Sequence, residues 1–506
     1  MSLHSRQRRL APHPCRARVI VFLLFCCPQG LVTRAQDSWE FSPYDIRVWV
    51  AFDPTSALTP AARQRLQTVL VQRAESEMSA VWQLTTSEPP DKLTAAMTID
   101  LELVHGDDVQ REVPSELNRD KIMFLQIVAT PTEYVAKVRE LDCHTRTLGP
   151  VITRVIRQSH SLATDCFTAI LEAFAPLVRI ERGQANRKLV RLRAGGLILD
   201  TDSPVSLQTG DLLQPIIRRN DRRGQPSNIT VVPWTFLQVE QPSALSPNLW
   251  EVYVHSGWGQ PFRGQRGARR QQFALGIRPT GTSTELRIDA KPLRREDTPY
   301  PLAGLEVYAR RPSTDPPPRS AEEKLAAQRR NPLIFLGRTD WRGELGIGQG
   351  DTPLRMLYIK SGNTPLARLP LVPGLNRAAV ARIADDDARL QAEGYLQGYE
   401  GDVMDVVGQI QLLSTLFHQR LADGKLNEAE RLLEQFRALP TRIDLLRELE
   451  QQKIRQRSSP NRLVQRRIES LFASARKTVT NYLDPNLASQ LLDKLNRAKQ
   501  ASKSDS

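Results

Sequence analysis

Apolar and polar residues alternate at the start of Asp45-Ile46-Arg47-Val48-Trp49-Val50-Ala51-Phe52 and then run together as apolar, the pattern of a strand entering a core. Thr59-Pro60 follows, with threonine suited to a cap and proline to the first helical position. Leu66, Val69, Leu70, Ala74 and Met78 recur at spacings of three and four, which predicts a helix reaching about Trp82. Later apolar runs predict strands over 95–104, 122–129, 134–141 and 151–156, and a second helix over 160–175 stops at Pro176. The order β-α-β-β-β-β-α predicts an α+β domain over 40–176, its helices covering a largely antiparallel sheet.

From 177 to 282 the pattern shortens to strands and turns. Leu189-Val190-Arg191-Leu192 leads into Ala194-Gly195-Gly196, and Thr209-Gly210-Asp211 precedes Leu212-Leu213-Gln214-Pro215-Ile216-Ile217. This succession resembles SH3-like barrels and implies a small β-rich domain; a fold of that kind names no ligand. Over 283–385, Pro301-Leu302-Ala303-Gly304-Leu305-Glu306-Val307-Tyr308 is followed by Thr339-Asp340-Trp341-Arg342-Gly343-Glu344-Leu345 and by Leu354-Arg355-Met356-Leu357-Tyr358-Ile359-Lys360. The progression resembles the carboxypeptidase-regulatory, transthyretin-like β-sandwich. In that family the Thr-Asp-x-x-Gly turn is structural: the aspartate binds backbone and the glycine accepts positive φ. An insert over 312–332, rich in proline and charge, reads as a surface loop with a helical turn at 321–329.

Residues 386–500 are predicted to be helical with a basic tail. Leu396, Tyr399, Val403, Val406, Ile410, Leu413 and Phe417 mark one face of a helix stopped by Asp423-Gly424. A second helix over 426–439 ends at Pro440 and is similar to the second half of a tetratricopeptide hairpin, but one copy makes a hairpin and not a solenoid. A third, capped by Thr441, runs to about Arg457; a fourth covers 460–483, and a short one follows Asp484-Pro485. The fold class expected is therefore multidomain α+β, with an N-terminal α+β domain, a small β-barrel, a β-sandwich and C-terminal helical hairpins. With 506 residues, three or four such units are the expected number.

The first 35 residues change the picture of where this protein works. They carry six arginines and no acid, then the nine-residue apolar run Val19–Cys27, then Thr33 and Ala35 as small residues at −3 and −1. That is a leader peptide with cleavage between Ala35 and Gln36. Nine apolar residues fall well short of the ~20 needed to cross a bilayer, and Phe25 puts a bulky side chain where a lipoprotein signal before Cys26 takes a small one. No later segment is long and apolar enough to span a membrane. The expected location is outside the cytoplasm, periplasmic or secreted. After cleavage two cysteines remain, Cys143 and Cys166; in an oxidising compartment they are a candidate disulfide, with two buried free thiols as the open alternative. Their separation, with His144 and His160 nearby, does not match a zinc spacing.

The formal charge of +14 falls to +8 once the leader is removed. Beyond Gln451 twelve Lys and Arg face four acids, so the tail alone accounts for that excess. Arg462, Arg466, Arg467, Arg476 and Lys477 are the candidate polyanion contacts there. A second set, Arg263, Arg266, Arg269 and Arg270, sits with Trp258 and Phe262 in a glycine-rich loop, where rings can stack and guanidinium groups can pair with anions. For an exported protein an acidic glycan or cell-wall polymer is the expected ligand and nucleic acid is disfavoured. Signatures of catalysis are missing: no G-x-S-x-G, no H-E-x-x-H, and an Asp385-Asp386-Asp387 run without the glycine of a calcium loop, better read as a helix start. Gly343, Gly346, Gly348 and Gly350 are not followed by the helix a phosphate cradle needs. The chain as a whole resembles exported bacterial multidomain proteins known by module order. The expectation is a non-catalytic binding or scaffold protein of the bacterial cell envelope, without cofactor, holding envelope proteins or anionic polymer. A secreted enzyme with a scattered site, or an accessory subunit of a secretion or surface-appendage assembly, are the alternatives.

Overall fold

The protein is seen in a computed structural model that describes residues 39–504, apart from 54–57, 131, 182, 185, 247, 258–260, 263–268, 293–295, 316–319, 363, 457, 458, 460 and 461. The expected leader, with the predicted cleavage between Ala35 and Gln36, lies outside the described residues, as do Arg263 and Arg266.

The first unit is built on β1 (Tyr44–Phe52), whose even-numbered residues Tyr44, Ile46, Val48 and Val50 are buried on one face and whose Trp49 and Ala51 are buried on the other. A strand covered on both faces needs helices on both sides. On one side lie α1 (Pro60–Arg73) and, later in the chain, the 162–173 helix. On the other lie α2 (Asp91–Ile99) and α3 (Gly106–Glu112). β2 (Trp82–Ser87) and β3 (Lys121–Ala129) flank β1 and run parallel to it. β4 (Tyr134–Asp142) is antiparallel to β3 and pairs in turn with β5 (Thr147–Leu148) and β6 (Ile152–Ile156), before α4 (Leu162–Ala173) closes the unit.

Three expectations fail here. The 95–104 run is not a strand but the end of α2 and a 3-10 turn at Leu101–Leu103, with Leu93, Met97 and Leu101 buried at helical spacing. The sheet is mixed, parallel at β2-β1-β3 and antiparallel in its other three pairings, β3-β4, β4-β5 and β4-β6. The first helix also stops short of Trp82: a π turn at Ala74–Met78 and the positive φ of Ser79 (45°) end it, and Trp82 opens β2. The candidate disulfide fails too. Cys143 and Cys166 are both free and buried, Cys143 among the α2–α3 side chains and Cys166 on α4, so the sheet lies between them.

The second unit is a closed barrel. Its strands are β7 (Leu177–Ile180), β8 (Arg187–Leu192), β9 (Leu212–Asn220), β10 (Pro226–Val231), β11 (Thr235–Pro242), β12 (Leu249–Ser256) and β13 (Arg270–Gly276). The ring runs β9-β11-β12-β8-β7-β13 and returns to β9, six strands without a free edge, with β10 hung on β9 as a hairpin. Val190, Leu213, Leu237, Val252 and Ala274 fill its interior.

Two facing sheets make the third unit. One has the order β17 (Glu344–Gly348), β14 (Ser283–Ala290), β20 (Ala378–Ile383); the other is β16 (Ile334–Arg338), β15 (Glu306–Arg310), β18 (Arg355–Ser361), β19 (Thr364–Leu371). Leu286, Ile288 and Ala381 of the first meet Val307, Leu357 and Ile359 of the second. In the turn before β17 the Asp340 carboxylate accepts from Arg342 N (2.9 Å) and Glu344 N (2.8 Å). Gly343 has φ +73°, and a Cβ there would stand 2.5 Å from the Ile288 carbonyl oxygen. The insert forms α5 (Ala321–Arg330), opened by a Ser320–Glu323 capping box.

Helices complete the chain. α6 (Asp387–Ala422) has 36 residues, about 54 Å of rise. It ends in a Schellman pair, Lys425 N to Arg420 O and Gly424 N to Leu421 O, with Gly424 at φ +72°. α7 (Leu426–Ala438) and α10 (Leu487–Ser504) pack around its second half, and α8 (Arg442–Arg455) and α9 (Arg462–Tyr482) around its first. The last helix, expected to be short, has 18 residues. No helix of the described residues is long and apolar enough to cross a membrane.

Candidate anion-binding surfaces

α9 is amphipathic because Val464, Ile468, Phe472, Ala475 and Val479 recur at three and four and are buried against α6, α8 and the sandwich. That spacing leaves Arg462, Arg466, Arg467, Arg476 and Lys477 exposed on the remaining arc. The arc carries one acid, Glu469, which accepts from Gln465 Nε2. Among the described residues only Arg476 of the five pairs with a carboxylate, Glu450 of α8 at 3.7 Å. The result is a helix face with a surplus of four positive charges open to solvent, an attractive field for a polyanion at low salt.

The barrel supplies a second surface. Arg269 and Arg270 enter β13, and the Arg269 carbonyl accepts from Asn220 N at 2.8 Å. Arg270 stands directly across from Arg219 of β9. The β9–β10 turn adds Arg222 and Arg223, both exposed, on a loop shaped by Asp221, whose carboxylate accepts from Arg223 N (2.7 Å) and Gln225 N (2.9 Å). Sequence reasoning did not single out Arg219, Arg222 and Arg223. The signal was there in Arg218-Arg219-Asn220-Asp221-Arg222-Arg223-Gly224, a turn between two arginine pairs; what the sequence hides is that this turn adjoins Arg269 and Arg270. α9 docks on the helices and on β19, so the structure gathers the candidate residues into two surfaces on different units and not into one.

The densest polar cluster is elsewhere and is spent internally. Lys121 is wholly buried, and its Nζ donates to Glu140 Oε1 (2.6 Å) and the Ala175 carbonyl (2.6 Å) and stands 3.0 Å from Asp142 Oδ2. Burial works against its charge, but the Glu140 and Asp142 carboxylates outweigh it and hold the ammonium protonated above its ordinary range. Beside it, Asp120 accepts from Asp45 N (2.9 Å) and from Arg193 Nε (3.2 Å) and Nη2 (3.0 Å), with His144 Nε2 at 2.8 Å. Burial would raise that carboxyl, yet His144 and Arg193 bring it well below the usual carboxylate range. Arg193 also reaches the carbonyls of Trp39 and Pro43, so the cluster ties the first unit to the barrel. The charge of the lysine is thus answered within the first unit. His255 is displaced too: burial, and then the nearby Arg368, lower its pKa to about 4.

The Asp385-Asp386-Asp387 run holds its own arginine. Asp386 takes Arg389 Nε on both oxygens (3.0 and 2.9 Å) and caps no helix N–H by its side chain, while Asp385 accepts from Tyr300 Oη at 2.8 Å.

No protein family matches this chain, and no curated protein matches it by sequence. Among solved structures it is similar in part to a PelC dodecamer from Paraburkholderia phytofirmans, at 14% identity over 26% of this chain and 89% of that one, TM-score 0.17. Lipoprotein GNA1162 from Neisseria meningitidis shares 14% identity over 26% of this chain and 95% of that one, TM-score 0.16. TolB from Acinetobacter baumannii shares 11% over 67% of this chain and 97% of that one, TM-score 0.17. Values this low assign the chain to no family.

Proposed function

We propose that this chain is a non-catalytic binding or scaffold protein of the bacterial cell envelope, exported by its leader and holding an anionic polymer by its basic surfaces. The observation that carries the reading is the solvent arc of α9, where five cations face one acid while the opposite side of the same helix is fully buried. A helix anchored in this way presents its charge at fixed positions. The SH3-like and transthyretin-like resemblances of the middle modules fit such a role, since both are scaffolds that carry their function on their surfaces. The test is retention of the full-length mature protein on dextran sulfate over a salt series. Wild type should bind at 50 mM salt and release as ions screen the contact. The triple variant Arg462→Glu, Arg466→Glu, Arg467→Glu should elute at distinctly lower salt with an unchanged circular dichroism spectrum. Elution of the variant with wild type, or retention that salt does not weaken, would overturn the proposal.

A further inference from the structure

The outer face of the four-stranded sheet carries aromatic rings where a sandwich facing water usually carries short polar side chains. Phe335 of β16 pairs with Tyr308 of β15, and Tyr308 with Tyr358 of β18, all in register. The inner positions Val307, Ala309, Leu357 and Ile359 belong to the core, so these three rings stand on the opposite side. Phe335 and Tyr308 have centroids 5.3 Å apart, and Phe335 is 54% exposed. With strands about 4.8 Å apart, the row from Phe335 to Tyr358 is about 10 Å long, a flat track on the scale of two linked sugar rings.

Cations surround the row. Lys360 Nζ lies 4.5 Å from the Tyr308 ring centre, and Arg310 and Arg368 lie 5.7 and 5.8 Å from that of Tyr358. Glu306, the one carboxylate on the face among the described residues, is already engaged by Arg338 (2.8 Å) and by the Tyr308 hydroxyl (3.0 Å). Its charge is therefore answered, and the positive charge of Lys360, Arg310 and Arg368 is left over. We infer that this face binds the strand of an acidic polysaccharide, with pyranose rings stacked on Phe335, Tyr308 and Tyr358 and carboxylates paired with the flanking cations. A protein partner would call for an apolar centre shielded from charge, and this face has cations beside Tyr308 and Tyr358. The site shares an anionic ligand class with the reading above but uses none of its residues, so either can fail alone.

The experiment is affinity electrophoresis of the full-length protein through gels containing polygalacturonate, with dextran and single-stranded poly(dT) as comparison polymers. Wild type should be retarded by polygalacturonate and not by dextran. Phe335→Ala, on an exposed edge position, and Tyr358→Leu, which keeps a bulky side chain, should each weaken binding about tenfold, the loss of about 1.4 kcal/mol at one stacked ring. The α9 triple variant should keep this ring-dependent retardation. Should Tyr358→Leu lose its circular dichroism spectrum, Phe335→Ala alone decides. Polygalacturonate binding that is absent, or equal in wild type and Phe335→Ala, overturns the inference. So does tighter binding of poly(dT) that is lost with the same substitution.

Discussion

Where the first unit meets the barrel, Asp120 is buried with Arg193 across the joint, and beside it Lys121 is buried with Glu140 and Asp142 of the first unit, next to an apolar core that Tyr44 and Phe174 share with Ile216 and Phe273 of the barrel. Where the sandwich meets the helices, Leu366 and Leu369 share one continuous apolar core with Leu396, Tyr399, Phe472 and Val479. The buried ion pair at that second joint, Asp386 with Arg389, is local to the start of α6. The contrast lies in what each joint specifies. Apolar contact is non-directional and tolerates exchange of shape at constant volume. A buried ion pair is directional, and taking away one member leaves the other charged in a low-dielectric site. Both joints share an apolar core, and the first adds a directional ion pair that crosses between its units.

Lys121→Met is the strongest way to break this contrast. Volume is nearly kept, but Glu140 and Asp142 are left without their cation, and urea unfolding should show a loss of about 3–5 kcal/mol. Adding Glu140→Gln should return part of it, because one stranded charge is gone; a double variant as unstable as the single one would show that the lysine acts by packing alone. At the apolar joint Leu396→Ala, at a site 4% exposed, should cost about 2–5 kcal/mol through transfer and cavity terms, whereas Leu396→Met should cost less than about 1.5 kcal/mol. A size-conserving exchange is thus expensive at Lys121 and cheap at Leu396. Equal costs would erase the distinction.

That distinction also explains how much the sequence revealed. β1, β3, β4 and β6 were legible because their apolar runs follow strand spacing, and α6 was legible from Leu396 to Phe417 because its face follows helical spacing. The 95–104 segment misled because Met97, Ile99, Leu101 and Leu103 alternate like a strand. Ile99 and Leu103 are in fact 74% and 51% exposed, so half of that alternation packs against nothing. β2 was hidden behind the helix it follows. The closure of the barrel rests on β13 finding β9 some fifty residues away, and local pattern carries no trace of such pairing. The same reason made α9 legible as a basic helix while the meeting of Arg270 with Arg219 was not. Asp120-Lys121, two charges opening an apolar strand, was the one visible sign of the ionic joint.

A third joint, between barrel and sandwich, sharpens the comparison through pH. His255 Nε2 donates to Gln238 Oε1 at 3.0 Å, while its buried Nδ1 has no partner among the described residues. Protonation would place an unpaired donor there, facing Arg368, which is why the imidazole stays neutral down to about pH 4. The unfolded chain takes up a proton near pH 6.5, so stability contributed by the neutral ring is present above that value and is lost as pH falls from 6.5 to 4. That difference corresponds to about 3 kcal/mol. His255→Phe should flatten the urea midpoint over this window. A midpoint that falls as steeply in the variant assigns the acid sensitivity to other groups.

The mildest change tests whether local helix signals matter within the apolar joint at all. α8 brings Leu445 and Leu449 to that core and is opened by a capping box: Asp444 N donates to Thr441 Oγ1 (3.2 Å) and Thr441 N to Asp444 Oδ2 (3.1 Å). Thr441→Ala removes the hydroxyl that satisfies a helix N–H, and should cost about 1 kcal/mol in urea at pH 7. The Thr441 hydroxyl and N–H hold the Asp444 carboxyl below its ordinary range, so that group stabilises the folded chain above its unfolded pKa and ceases to as pH falls through the folded one. The penalty of Thr441→Ala should therefore shrink below about pH 4, where the carboxylate is no longer there to answer the cap. A penalty constant across pH would mean that burial of Leu445 and Leu449 alone sets the start of α8, and that apolar contact needs no local direction even at its helix ends.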